Sequence, residues 1–204
     1  SGFSVVVLSA LKLQKGGFYL WDLTKKLHQK THSPLIKWRL SYTVLCFYNP
    51  WKVPFRSGYD NILETIKACV LNGDQIFTGY TVALYLRTRI TAGENLGSIV
   101  ESSADHLSLI DKKKGGLDFF LGFYQFAKAL NGQTNPGSWN DDSFDGEAFL
   151  SALEQEGNNT KLAFYHASKT ALFYYFGQYK DALVQSDVTL KYADNVLGDV
   201  VEVW

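Results

Sequence analysis

The stretch FGQYKDALVQSDVTLKYAD, Phe176 to Asp194, decides how the rest of the chain is read. Tyr179, Ala182, Leu183, Ser186, Leu190 and Ala193 stand at offsets 0, 3, 4, 7, 11 and 14, one face of a helix. Gly177 stands just before them, where the chain must turn. Upstream, LAFYHASKTALFYYF repeats the helical period through Leu162, Tyr165, His166, Lys169, Leu172 and Phe173. Two helices joined by a tight glycine turn make an αα-hairpin. Within it, Ala182 and Ser186 are small enough for close packing.

The same template fits twice more. From Tyr59 it reads Ile62, Leu63, Ile66, Val70 and Gly73; from Leu96 it reads Ile99, Val100, Ser103, Leu107 and Ile110. A glycine stands close before each copy, at Gly58, Gly93 and Gly177, and an aromatic-rich helix before that: LIKWRLSYTVLCFY, DQIFTGYTVALYLRTRI and the helix ending at Phe176. The first step is 37 residues, near the length of a two-helix repeat, and the second is 83, room for two. GGLDFFLGFYQFAKAL and GEAFLSALEQEG supply the missing pair, separated by the loop NGQTNPGSWNDDSFD. Loops of that length are uncommon in compact domains. KGGFYLWDLTKKLHQKTHSP reads as a leading helix stopped by Pro34, and FSVVVL is the one segment with strand character.

The expected fold is therefore all-α, an α-solenoid of about four to five antiparallel helix pairs of tetratricopeptide-like type. Such a pair cannot bury its apolar face without its neighbour. The approximate units are 33–73, 74–111, 115–157 and 158–194 of a single domain. Hydrophobic residues make up 46% of the 204, enough for a sizeable core, and aromatics 15%.

Lysine plus arginine and aspartate plus glutamate number 20 each, so no basic footprint for nucleic acid or anionic membrane exists. No apolar run approaches the roughly 20 residues of a membrane span, and FSVVVLSAL lacks the flanks of a signal peptide. A cytoplasmic setting is expected, with Cys46 and Cys69 as buried free thiols. The chain begins Ser-Gly and contains no methionine, which reads as an excised piece of a longer protein.

The chemical motifs are weak. Neither a P-loop nor a dinucleotide fingerprint occurs, and KKKGG (Lys112–Gly116) reads as a helix-ending turn with solvated lysines. No nucleophile elbow is present. His28 and His32 share a helix face, but HQKTH lacks the glutamate of a zinc-protease helix and Lys25, Lys26 and Lys30 surround it. Asp141, Ser143, Asp145 and Gly146 match the start of a calcium loop, yet the bidentate glutamate would fall at Ala152. Asp145 or Asp142 instead suits a helix cap, with Glu147 complementing the dipole. Asn158 or Asn159 is expected to cap the next helix. No cofactor, metal or catalytic residue is expected.

NPWKVPFRSG (Asn49–Gly58) reads as an elbow: Pro50 and Pro54 forbid regular helix, and Trp51 and Phe55 are expected to tuck between neighbouring pairs. With Pro50-Trp51-Lys52 and Pro54, the stretches FTGYTVALY after Gly73-Asp74, GENL from Gly93, LFYYFGQYKDAL and YADNVLGDV carry a resemblance. From about Pro34 to Trp204 the chain resembles the tetratricopeptide-like region of very large bacterial signalling proteins. These join a serine/threonine-kinase-like domain, an AAA/STAND-type ATPase, this helical middle, a GAF domain and a sensor histidine kinase. The resemblance implies a non-catalytic scaffold that positions or couples flanking domains, since that family's catalytic residues lie outside the repeats.

An alternative is a free-standing adaptor that binds extended or helical peptides on a concave face, with Tyr59, Tyr85, Arg87 and Arg89 as groove residues. A third is a small helical metal-binding or enzymatic domain built on the acidic loop of residues 141–147.

Overall fold

A computed structural model describes residues 5, 14–28, 30, 33–111 and 113–196. Among the described residues there are nine α-helices and no strand. They are α1 (Gln14–His28), α2 (Pro34–Phe47), α3 (Tyr59–Leu71), α4 (Gln75–Thr91), α5 (Leu96–Leu107), α6 (Leu117–Leu130), α7 (Gly146–Glu156), α8 (Asn159–Tyr175) and α9 (Tyr179–Tyr192). The three template copies coincide with helices that start at Tyr59, Leu96 and Tyr179.

One turn recurs. After α3 the Gly73 amide donates to the Val70 carbonyl and the Asp74 amide to Cys69, at 3.1 and 2.9 Å. The same pair of bonds follows α4 at Gly93-Glu94, α6 at Gly132-Gln133 and α8 at Gly177-Gln178. This is the Schellman closure, which needs a left-handed residue after the helix. Gly73, Gly93, Gly132 and Gly177 supply it, with φ between 68 and 74°. The residue that follows, or the next, often caps the new helix. Asp74 accepts from the Phe77 amide, Asn95 from Ser98 and, after Gly157, Asn158 from Lys161. One short sequence thus satisfies orphan carbonyls of the old helix and orphan amides of the new one.

The even-numbered helices lie in a row: α4 packs on α2 and α6, and α6 packs on α8. Three odd-numbered helices pack against this row. Helix α3 packs on α2 and α4, α5 on α4 and α6, and α9 closely on α8. The main core lies where these helices meet, with Ile62, Val82, Ile99 and Phe120 all at 2% exposure or less. Burying each such side chain contributes about 1.5–3 kcal/mol. The row is closest at Gly79 of α4, where the α6 N-terminus abuts it; a Cβ on Gly79 or on Gly116 would run into the other's backbone.

The third unit departs from the others. Helix α7 packs on α8, and the loop of residues 131–145 inserts Trp139 beside it. Trp139 is 1% exposed, edge-on to Tyr165 at 4.8 Å between ring centroids, and close to Gly122 of α6. A long loop persists here because it carries its own core residue.

Several expectations need correction. Gly58 has φ −90° and ends a short 3-10 turn, Phe55–Gly58, that runs directly into α3. The elbow makes this turn, so no left-handed glycine is needed. Pro34 opens α2 at its first position, where its missing amide costs nothing; α1 has already ended at His28. Trp51 is 43% exposed, because the 3-10 turn Asn49–Trp51 directs it outward, and Phe55 is half-buried. Tyr48, stacked on Trp21 at 4.5 Å, is the aromatic that fills the N-terminal core. Of the stripe, Ile62, Val100 and Ala182 are buried, but Leu63, Tyr179, Leu183 and Leu190 are exposed. The FSVVVL stretch, except Val5, lies outside the described residues.

Candidate functional site

The even helices carry a continuous aromatic row. Tyr42 of α2 meets Phe77 of α4 edge-on at 5.4 Å and lies 6.1 Å from Tyr80. Tyr80 meets Phe119 of α6 at 6.0 Å, and Phe119 meets Phe164 of α8 at 5.5 Å, both edge-on. The spacing follows from a bulky ring at a matching place on each even helix, and edge-to-face pairs contribute about 0.5–1.5 kcal/mol beyond burial. Arg39 binds the first end together: its Nε donates to Asp74 Oδ2 at 2.7 Å and its guanidinium lies 4.9 Å from the Phe77 ring. Asp74, itself a cap, therefore joins α2 to the start of α4.

Beside this row opens a cavity of about 250 Å³. Its walls come from α2, α4, α6 and α8, and residues beyond α9 contribute Asn195 and Val196. Most of the lining is apolar. Among the described residues that line it, Arg87 alone carries a charge. The guanidinium lies 5.8 Å from the Phe164 ring, and Nη2 is 3.9 Å from Cys46 Sγ. Thr160 Oγ1 donates to the Asn195 carbonyl at 3.0 Å, which ties the end of α9 to the start of α8 at the rim. Such a cavity suits an apolar or aromatic side chain.

Of the four groove residues expected from the sequence, only Arg87 lies here. Tyr59, Tyr85 and Arg89 gather on the other side, where α3, α4 and α5 meet. Arg89 donates to Glu94 and to Ser102 Oγ, both at 2.7 Å, and lies 5.4 Å from the Tyr85 ring. Tyr85 in turn packs between Tyr59 and His106. Burial, with help from the Glu94 carboxylate, pushes the Tyr59 hydroxyl up to about 12. Burial also opposes ionisation of Glu94, but Arg89 and Tyr59 outweigh it and hold that carboxyl below its ordinary value. This cluster clamps the Gly93 turn. Arg87 and Arg89 stand two residues apart on α4, about 200° around the helix, so they face opposite ways, which a stripe template alone does not separate.

The acidic loop is spent on structure. Asp141 pairs with Lys128 of α6 and accepts from the amide and hydroxyl of Ser143. Burial disfavours its charge, yet Lys128 and Ser143 hold the carboxyl well below its ordinary range. Asp145 caps α7 through the Glu147 and Ala148 amides at 2.9 and 3.0 Å. Among the described residues no group of three or more His, Cys, Asp or Glu is placed to hold a metal ion. Gly115 and Gly116 open α6 instead of closing a helix, because both take left-handed φ and seat the chain against Gly79. The His28 side chain, His32 and Lys112 lie outside the described residues. Among them, no helix is long and apolar enough to cross a membrane. Cys46 and Cys69 are buried, and neither forms a disulfide.

A second apolar surface lies between α8 and α9, a groove of about 950 Å³. Ala163, Ala167 and Ala171 of α8 line it together with Tyr175, Leu183 and Leu190. His166 sits beside α9, bonded to Gln185 and stacked on Tyr192, and burial lowers its basicity.

Comparison with protein-family models, with curated proteins and with solved structures finds no match to this chain.

Proposed function

We propose that the chain is a helical-repeat protein-interaction region, a tetratricopeptide-like α-solenoid that holds a peptide segment against the aromatic row of its even helices. The observation that carries this reading is the cavity at Arg87, walled by four helices in succession and lined by Tyr42, Tyr80, Phe119 and Phe164. A surface assembled from successive units suits an extended or helical segment. The rings would take an apolar or aromatic side chain of the segment.

The resemblance to multidomain ATPase and kinase signalling proteins supplies the setting. In it the chain is a non-catalytic scaffold, and the held segment belongs to a flanking domain or a partner, so that nucleotide state on one side is coupled to kinase output on the other.

An array of random-sequence peptides probed with the purified protein tests the binding reading. Binders in the micromolar range are expected, measured by calorimetry, and Phe119→Ala or Phe164→Ala should weaken them at least tenfold with helicity retained. Binders indifferent to both substitutions would sink it, as would ATP hydrolysis by the chain alone. The reading frame on either side tests the setting separately: without flanking ATPase and kinase domains, the free-standing adaptor replaces the signalling scaffold.

A further inference from the structure

The face of α9 that borders the α8–α9 groove carries a pattern that the fold leaves largely exposed. Tyr179, Leu183, Ser186 and Leu190 are spaced 4, 3 and 4 residues apart, the a/d spacing of a coiled-coil seam. On a helix packed only against its own hairpin partner, such a seam faces that partner. Here Ala182 faces α8, while Tyr179, Leu183 and Leu190 are 61, 69 and 70% exposed. The seam borders the α8–α9 groove, where the small Ala163, Ala167 and Ala171 leave room beside these knobs. Contiguous apolar surface of this kind marks an interaction site, unlike single exposed leucines.

We infer that the occupant is a second copy of this chain, with the two α9 helices antiparallel across a two-fold axis. The face is self-complementary, which an isologous contact requires. In antiparallel register Leu183 meets the small partner's Ser186, and Leu190 meets the partner's Tyr179. Charge then selects this arrangement. Lys180 and Asp187 are exposed, flank the seam on the side away from α8, and occupy equivalent positions one heptad apart. Antiparallel pairing sets Lys180 beside the partner's Asp187, and Asp187 beside the partner's Lys180. Parallel pairing sets e positions beside g positions, so Asp187 would lie beside the partner's Ala182 and neither charge would find its opposite. With α8 behind each α9, the product is a four-helix contact whose centre is apolar and whose rim is charge-matched.

Sedimentation equilibrium of the protein from micromolar to millimolar concentration tests this. The wild-type chain should reach twice its 23.0 kDa mass in a concentration-dependent way. Leu183→Lys and Leu190→Lys, both at exposed positions, should be monomeric with unchanged far-ultraviolet circular dichroism. Lys180→Asp should weaken association about tenfold, and adding Asp187→Lys should restore it. A monomer at every concentration, a dimer that survives both lysine substitutions, or a charge swap that fails to restore association overturns the inference. The outcome is independent of peptide binding at the Arg87 cavity, because none of the four substitutions lines that cavity.

Discussion

Trp139 stands edge-on to Tyr165, with ring centroids 4.8 Å apart and an interplanar angle of 75°. One residue comes from a long loop and the other from α8, so a connection rich in Gly, Asn and Asp helps build the second core. Trp139→Ala should cost about 3–5 kcal/mol, because the emptied site is walled by helices that cannot collapse. For a chain of this size that lowers the melting temperature by roughly 10 °C, readable by circular dichroism. A shift of a degree or two would mean that the loop contributes little.

Two glycines with similar φ should respond differently to alanine. Gly177 has open space around its missing Cβ, so Gly177→Ala costs only the left-handed strain, about 1–2 kcal/mol. Gly116→Ala adds a clash with the Gly79 backbone and should cost clearly more. Chemical denaturation of both variants checks the order; equal losses would refute the close approach of α4 and α6.

Ala182 is 7% exposed and faces α8 across the hairpin. Ala182→Phe should overpack that contact and destabilise the fold by about 1–3 kcal/mol. Unchanged thermal stability would show that α9 has room to move off α8.

Asp141 should make stability depend on acid. Its folded carboxyl titrates below the unfolded value near 4, so its contribution is complete above pH ~4 and is lost as pH falls toward the folded value. Asp141 and Lys128 are only 11 and 15% exposed, so screening is weak. Asp141→Asn should cost about 1–3 kcal/mol at neutral pH, with the gap to wild type closing in acid. Urea unfolding at a series of pH values reads this; a gap that widens on acidification contradicts the ion pair.

Cys69 is 1% exposed, and burial together with the Asp74 carboxylate pushes its thiol up to about 11. Its thiolate fraction at pH 8 is then roughly a hundredfold below that of an ordinary cysteine. Iodoacetamide should leave Cys69 unmodified in the native protein and alkylate it readily in denaturant, as followed by mass spectrometry. Rapid native labelling would reveal opening of the α3–α4 contact.

What the sequence determined by itself was local: the helical periods, the starts at Tyr59, Leu96 and Tyr179, the turns at Gly93 and Gly177, and the caps to within a neighbouring alternative, Asp145 or Asp142 and Asn158 or Asn159. These depend on hydrogen bonds and side chains within one or two turns of each other, so a short window contains their cause. A further local signal, a glycine followed by Asp, Glu or Gln, marks the Schellman turns at Gly73, Gly93, Gly132 and Gly177 more faithfully than Gly58 did. What only the tertiary structure decided was which stripe positions are buried. Leu63, Val100 and Leu183 share one offset, yet Val100 alone is buried, because burial requires neighbours that the other two lack. The aromatic row had the same obstacle. Tyr42, Tyr80, Phe119 and Phe164 lie about forty residues apart, and only the stacking of four helices brings their rings within 6.1 Å of their neighbours.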